Sequence, residues 1–146
     1  DGVFVAGAGF IASKHGSDSW SFYESERLTQ RNWRAIYSPS PSEVFAFGRS
    51  RYGVYWDGAA LNSIETMVGV VPEYVSGMWG SSIDNLYVVG RAQLPHVFGF
   101  AARFDGVTWR IIDSGASRAA TSISGRAPTS IYVGTKGGGI LKSTAP

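Results

Sequence analysis

One short apolar segment that ends in glycine occurs four times in this chain, at nearly constant spacing. The four copies are Val3–Gly7, Val44–Gly48, Leu86–Gly90 and Ile131–Gly134, and their glycines lie 41, 42 and 44 residues apart. Repeats of roughly 20–50 residues are typical of proteins built from similar units, each of which buries apolar surface against its neighbours. The chain is therefore predicted to consist of similar structural units arranged in series.

A second element precedes three of the four copies at a fixed distance. Tyr37, Trp79 and Ser124 each lie seven residues before the first residue of the strand that follows. Each belongs to a short strand followed by a turn rich in serine, proline or glycine, a pattern typical of a β-hairpin. Because the spacing is constant, the turn is predicted to have the same length in each unit.

Two further strands are predicted after each glycine. The third strand ends in a turn, and this turn is Asp-Gly in two of the units. Asp-Gly is favoured in tight turns because both residues tolerate positive φ. A fourth strand then begins at Trp20, Leu61 or Trp109, the last being displaced by an insertion around 91–96. A complete unit is therefore predicted to contain four antiparallel strands, labelled a to d from the inside outwards.

The repeat and the composition together predict the fold class. Nineteen glycines, seven tyrosines, eight phenylalanines and five tryptophans favour short strands with tight turns, and no window has sustained helical periodicity. We predict an all-β fold, a β-propeller of four-stranded antiparallel blades, of which the chain holds about three and a half. A stacked-sheet sandwich is the alternative. One propeller or partial propeller domain is predicted over 1–146, with blade repeats at approximately 1–31, 32–73, 74–118 and 119–146.

The predicted strand count leaves the propeller open. The units contain three, four, four and three strands, and the two end units read b–c–d and a–b–c, so they cannot merge into one blade. An open propeller would expose an apolar blade face and unpaired strand edges. We expect closure by a second copy, a different protein or a further part of the same polypeptide, and two copies would carry enough strands for seven complete blades. The alternative is a small four-bladed closure with two three-stranded blades.

Two segments, 79–90 and 103–109, resemble the repeats of bacterial BNR/Asp-box-like β-propellers, the sialidase-type group. Segments 13–20 and 137–144 resemble the related repeats of photosystem-assembly-factor propellers. The resemblance covers almost the whole chain, and His15 stands where the family usually has aspartate. It implies a propeller in which the Asp-box residues stabilise the turn between strands c and d. Because such motifs are shared by proteins of unrelated function, the resemblance implies no activity.

Eight residues are predicted to define the structural repeat. They are Gly7, Gly48, Gly90, Gly134, Trp20, Trp79, Asp105 and Trp109.

The charged residues separate when they are sorted by propeller topology, in which the b–c and d–a loops share one face. That face receives Arg27, Arg31, Arg49, Arg51, Arg91, Arg118 and Lys136, opposed by Glu26 and Glu73. The other face receives Asp18, Glu43, Asp57, Asp84 and Asp105, with Arg126 as its main cation. A basic face favours an anionic partner: an acidic protein surface, an anionic glycan, a lipid headgroup layer or, least favoured, nucleic acid. The plainer interpretation is that these cations keep exposed loops soluble.

The best contact candidates join cations to aromatic or apolar neighbours, since arginine and tyrosine are enriched at interface hot spots. The predicted partner-binding residues are Arg49, Arg51, Tyr52, Arg91, His96, Arg118 and Lys136. A different hypothesis makes aromatic strand residues into sugar-stacking platforms, although at strand positions such residues more often pack between blades. They are Trp33, Trp56, Trp79, Tyr37 and Tyr55.

The sequence contains no recognisable catalytic constellation. It has no cysteine, its two histidines lie in no metal-ligand spacing, and no helix is predicted after Gly137–Gly139 to complete a phosphate-binding loop. Sialidases of the Asp-box group need an arginine cluster and a Tyr–Glu pair inside a full propeller, which half a propeller does not supply alone. We therefore expect no enzymatic activity, no metal and no cofactor.

The predicted function is that of an interaction or assembly subunit. It would bind another protein through its loop face or an open blade. The alternatives are a glycan-binding, lectin-like propeller and a fragment of a propeller enzyme such as a glycosidase. The chain starts at Asp1 without an initiator methionine, and it has no apolar run of the roughly 18 residues needed to cross a bilayer. We expect an extracytoplasmic location, whether periplasmic, secreted or at the cell surface.

Overall fold

The computed structural model describes residues 2–23, 32–49, 52–65, 71–94, 98–112 and 118–143, and within these ranges every regular element is a β-strand. The fourteen strands are β1 (Gly2–Ala6), β2 (Ile11–His15), β3 (Ser21–Tyr23), β4 (Trp33–Ser40), β5 (Glu43–Gly48), β6 (Tyr52–Trp56), β7 (Leu61–Glu65), β8 (Val71–Ser82), β9 (Asn85–Leu94), β10 (Phe98–Phe104), β11 (Trp109–Ile112), β12 (Ala120–Ala127), β13 (Ser130–Thr135) and β14 (Ile140–Lys142).

The strands form four antiparallel sheets, each built from consecutive strands in chain order. Sheet 1 is β1–β3, sheet 2 is β4–β7, sheet 3 is β8–β11 and sheet 4 is β12–β14. The predicted all-β class and the predicted grouping of three, four, four and three strands are confirmed. Among the described strands no sheet closes on itself, and the propeller stays a prediction.

Consecutive sheets pack face to face through their leading strands: β1 lies against β4, β4 against β8 and β8 against β12. A cluster of buried apolar side chains fills each of the three interfaces. Ile11 and Val44 belong to the first cluster, Phe45 and Leu86 to the second, and Val89 and Val133 to the third. Sheets 2 and 3 are therefore covered on both faces.

Burial on both faces explains why the repeated strand is apolar throughout. Residues 44–47 in β5 are each at most 1% exposed, although successive side chains point to opposite faces of the sheet. A strand with one solvated face would alternate between apolar and polar residues. Burying a valine or phenylalanine side chain contributes roughly 1.5–3 kcal/mol, so a sheet of this type depends on both of its neighbours.

The constant seven-residue spacing corresponds to one cross-strand pair that recurs in three sheets. The pairs are Tyr37–Phe45 in sheet 2, Trp79–Tyr87 in sheet 3 and Ser124–Tyr132 in sheet 4. On either side of each pair the hairpin has an irregularity of register, and the longer hairpin of sheet 3 has two more, both at Pro72. A bulge inserts an extra residue into one strand and increases its local twist. The three hairpins therefore share the register around this pair and the position of the two bulges that flank it.

The glycines of the second and third copies stand where two backbones approach closely. A Cβ atom built on Gly48 would overlap the carbonyl oxygen of Asn32, and one built on Gly90 would overlap that of Tyr74. Glycine is the residue that permits such an approach, since it has no side chain to displace the neighbouring strand. The repeat glycine is thus a packing requirement between the first and second strands.

The fourth copy does not place its glycine at this position. Thr135 pairs with Ala120 as Gly90 pairs with Val75, and Gly134 lies one residue earlier in the register. Gly134 therefore matches the apolar position before the glycine of the other copies. Gly134 was aligned with Gly90 from residue type alone. Because the fourth segment is shorter, the register of Gly134 in its hairpin differs from that of Gly90 by one residue.

We expect Gly90→Ala to destabilise the protein by about 1–3 kcal/mol, because the added methyl group must displace the backbone of β8. Gly2→Ala is the matched control in a strand. There the nearest atoms, at 3.0 Å, belong to the exposed imidazole of His15, which is free to move. Urea unfolding monitored by tryptophan fluorescence measures both variants. Equal midpoints for the two alanine variants would contradict the backbone-approach explanation.

A candidate binding surface at one end of the sheets

Each sheet has two ends, and positively charged side chains gather at one of them. At this end the first strand of a hairpin begins and the second strand stops, as shown by the pairs Trp33–Gly48 and Ala120–Thr135. We call it the cationic end. Its described cations come from sheets 2, 3 and 4 and are Arg34, Arg49, Arg91, Arg118 and Lys136.

Tyr74 contacts two of these cationic residues at the junction of sheets 2 and 3, one through its backbone and one through its ring. The backbone of Arg49 forms an isolated bridge with that of Tyr74, and an equivalent bridge joins Ala8 to Asn32 one sheet earlier. The guanidinium carbon of Arg34 lies 5.0 Å from the centre of the Tyr74 ring. This cation–π contact holds the Arg34 charge at the same junction.

Arg91 carries the one ion pair that the structure describes at this end. Its Nη1 lies 3.1 Å from Oε2 of Glu73. An exposed pair of this kind contributes little to stability, typically about 0–1 kcal/mol, and it leaves the guanidinium with free donor sites. Glu73 therefore offsets one positive charge without removing Arg91 as a contact residue.

Arg118 and Lys136 lie on adjacent loops of sheet 4. The backbone N–H of Lys136 donates to the carbonyl oxygen of Ala119 over 2.8 Å, which ties the two loops together. The Arg118 guanidinium lies directly against Gly137, where the absence of a side chain leaves it room. Gly137 also has a φ of 99°. A substitution at Gly137 would displace this arginine.

The structure places five of the seven predicted partner-binding residues at the cationic end: Arg49, Tyr52, Arg91, Arg118 and Lys136. Tyr52 begins β6 at the same end and is half-buried. The other two, Arg51 and His96, lie outside the described residues, as do Arg27 and Arg31.

Arg34 was missed because the charge sorting considered loops alone. It lies inside β4, exposed between two buried neighbours, Trp33 and Ala35. The alternation of apolar and charged residues around it was the available signal.

The opposite end is mixed in charge. The predicted acidic residues lie at or beside the turns there, but Arg103 and Arg110 in strands β10 and β11 lie there with Arg126. Nε of Arg110 is 3.6 Å from Oδ2 of Asp105, and Nε of Arg103 donates to Oδ1 of Asn85 over 3.0 Å. Among the described residues, an excess of positive charge is therefore found at the cationic end. At the opposite end the arginines partly neutralise the acidic residues that were expected from the loops.

Two aspartates at this mixed end form the same turn. Oδ1 of Asp57 accepts hydrogen bonds from the backbone N–H groups of Ala60 at 2.7 Å and Ala59 at 2.9 Å. Oδ1 of Asp105 accepts from the backbone N–H groups of Thr108 at 2.8 Å and Val107 at 3.1 Å.

The glycine that follows each of the two aspartates has a φ of 91°. The c–d turns of sheets 2 and 3 are therefore built alike. His15 takes the place of the aspartate in sheet 1, as the sequence indicates.

These backbone hydrogen bonds lower the pKa of both carboxyl groups below the ordinary value of 3.8, the N–H of Ala60 contributing most at Asp57 and that of Thr108 most at Asp105. A carboxyl group with a lowered folded-state pKa stabilises the protein above its unfolded-state pKa. This stabilisation is lost as the pH falls through the folded-state value.

We expect the urea midpoint of the protein to fall below about pH 4, and to fall less in the double variant Asp57→Asn/Asp105→Asn. The amide oxygen still accepts hydrogen bonds, but the side chain no longer titrates. Urea midpoints from neutral pH to acid measure the difference. Asp84→Asn, which removes a carboxylate from the same end, is the control. An unchanged acid dependence in the double variant would contradict the turn's role.

Three of the five aromatic strand residues, Tyr37, Trp56 and Trp79, contact a neighbouring sheet. Trp79 lies against Gly125 of sheet 4, and the ring centres of Trp56 and Tyr23 are 4.7 Å apart across sheets 2 and 1. The hydroxyl of Tyr37 donates to the carbonyl oxygen of Gly80 in sheet 3 over 2.7 Å. Such contacts are typical of aromatic residues that pack between sheets, and the glycan-binding alternative stays a prediction.

Within the described residues, no three histidine, aspartate or glutamate side chains lie close enough together to hold a metal ion. The same part of the chain contains no helix with the length and apolar character needed to cross a bilayer. Comparisons with protein-family models, curated proteins and solved structures found no match for this chain. The resemblance to Asp-box propellers therefore stays a prediction from the sequence.

Proposed function

We propose that this chain is a non-enzymatic, β-propeller-type interaction subunit that binds an acidic protein surface through its cationic end. The observation that carries the proposal is the excess of positive charge at that end. Five described cations lie there, and Glu73 is the one described carboxylate side chain. A surface of one charge sign steers an oppositely charged partner towards it and selects against others.

The propeller arrangement is supported by the regular succession of the sheets. Each sheet packs on the next through its leading strand, and three of the hairpins share one register. A hydrogen bond also joins each consecutive pair of sheets. These bonds run from Trp33 N–H to Gly7 O, from Tyr37 Oη to Gly80 O and from Ser76 Oγ to Ala120 O. A propeller repeats one such sheet-to-sheet relation around an axis.

A protein partner is favoured over a glycan by the character of the surface. The residues after the repeated strands differ from sheet to sheet, being Ala8, Arg49, Arg91 and Lys136, so no single pocket recurs. A lectin-like propeller would repeat one binding set in each blade. Arginines beside a tyrosine ring are instead typical of protein interfaces.

The proposal is tested with a fluorescently labelled peptide rich in glutamate and aspartate, and anisotropy measures its affinity for the chain. We expect Arg49→Gln and Arg118→Gln each to weaken binding about threefold to tenfold, and the double variant to weaken it further. Arg126→Gln removes the same charge at the opposite end and is the matched control. Binding by the unchanged protein should weaken as salt is raised, because exposed charges are screened.

Equal losses in Arg126→Gln and Arg49→Gln would contradict a localised site, as would the absence of binding at low salt. A sulfated oligosaccharide of matched charge is titrated in parallel. If the oligosaccharide binds much more tightly than the peptide and responds to the same two variants, the partner class is an anionic glycan and the protein-partner proposal fails.

A further inference from the structure

We propose that Glu73 determines which acidic partners this chain accepts, by dividing the cationic end into two positively charged groups. The partner that fits carries two acidic groups separated by a residue that is neutral or positively charged. This inference rests on the proposed function, since it concerns the same surface. It adds the arrangement of charge that the partner needs, where the proposed function gives only the sign.

The hairpin of sheet 3 is extended at the cationic end. β4 and β12 begin opposite the repeat-glycine position, at Trp33 and Ala120. β8 begins earlier, and its additional segment 71–74 pairs with residues 91–94 of β9. In a repeat protein, an insertion confined to one unit is often found on the binding face. The extension of sheet 3 is therefore the part of this surface in which a specificity-determining residue is expected.

A bulge in the extension sets Glu73 apart from the regular ladder. Pro72 pairs with Ala92 in β9. The next pair joins Tyr74 to Arg91, so Glu73 is the extra residue of β8. Proline cannot donate a ladder hydrogen bond, and within sheets it is found at edges and bulges. Pro72 is fully buried, so the bulge is anchored in packed structure and can redirect the side chain that follows.

The redirected side chain lies on Arg91. Oε2 of Glu73 is 3.1 Å from Nη1 of Arg91, and the two side chains are 29% and 37% exposed. The ion pair is thus held by the strand and is still accessible to a partner. Because a carboxylate has several acceptor positions and a guanidinium several donors, this one contact leaves both groups able to form others.

The ion pair lies between two groups of cations. Sheet 3 is in the middle, since β8 packs on β4 of sheet 2 and on β12 of sheet 4. On the sheet 2 side, the Tyr74 ring contacts Arg34 and the Tyr74 backbone pairs with Arg49. On the other side, Arg118 and Lys136 lie on the loops of sheet 4. Among the described residues, the surface is therefore positive, then neutral at the ion pair, then positive again.

A carboxylate within a cationic surface weakens binding to some partners and not to others. A continuous run of acidic residues brings one of its charges against Glu73, and like charges in contact oppose binding. A partner with a neutral residue at that point avoids the repulsion, and a basic residue there can pair with Glu73. Repulsion of the wrong partner is one of the means by which interfaces obtain specificity. The same carboxylate selects against uniform polyanions.

The experiment compares two fluorescently labelled peptides of identical composition, in which glutamates are accompanied by a single lysine. The lysine is central in the split peptide and terminal in the continuous peptide, so both peptides carry the same net charge. Anisotropy at low salt measures both affinities. We expect the unchanged protein to bind the split peptide about threefold more tightly. Net charge alone does not produce such a difference.

Two substitutions of Glu73 should change this preference. Glu73→Gln keeps the shape of the side chain without its charge, and should abolish the preference by strengthening binding of the continuous peptide. Glu73→Lys should reverse the preference. Asp84→Asn removes a carboxylate at the opposite end of the sheets and is the matched control, in which the preference should remain. Because Glu73 is partly exposed, circular dichroism should show the same fold in all of these variants.

Equal affinity of the unchanged protein for the two peptides would overturn this inference and leave the proposed function intact, because binding itself would still be observed. A preference that persists in Glu73→Gln would overturn it as well, since the selectivity would then arise from other residues. If neither peptide binds at low salt, the proposed function fails, and this inference fails with it.

Discussion

The burial of the second strand of each hairpin on both of its faces is the constraint on which this structure depends. Residues 44–47 are buried although their side chains point alternately to opposite sides, so sheet 2 requires a neighbour on each face. The same holds for sheet 3. Stability is therefore distributed over sheet-to-sheet interfaces, as in other repeat proteins, where each unit contributes through its nearest neighbours. The close backbone approach at Gly48 and Gly90 lies inside each sheet, between its first and second strands, where a side chain would not fit.

Much of the fold follows from the sequence, because a repeated spacing reports repeated geometry. The seven-residue interval at Tyr37, Trp79 and Ser124 corresponds to one cross-strand pair in each sheet, and the strand count of every sheet agrees with its apolar segments. The bulges were not predictable, since a bulge of this kind shifts register without requiring a particular residue type. Because of such a register shift, Thr135 occupies the position of the repeat glycine. The neighbouring Gly134 is the residue that matches the repeat by type.

The candidate surface was predictable to the extent that it is formed by loops. Arg49, Arg91, Arg118 and Lys136 follow from the sequence because loops between antiparallel strands alternate between two ends. The positions of Arg34 and of the cations in β10 and β11 were not predictable from the sequence. The register of a strand and its neighbours decide at which end of the sheet a charged strand residue lies. Tyr74 shows the difference. Its ring contacts the Arg34 guanidinium and its backbone pairs with that of Arg49, and no spacing in the sequence indicates either contact.

The way in which these arginines are held has an entropic consequence. A long side chain on a free loop loses considerable rotamer freedom when it is fixed by a partner, on the order of 1.5–2 kcal/mol for arginine. Arg34 is restrained by the Tyr74 ring and Arg118 by the turn at Gly137, so part of that freedom is already absent in the unbound chain. For the acidic partner proposed above, a smaller ordering cost would then oppose the attraction between charges at these two residues.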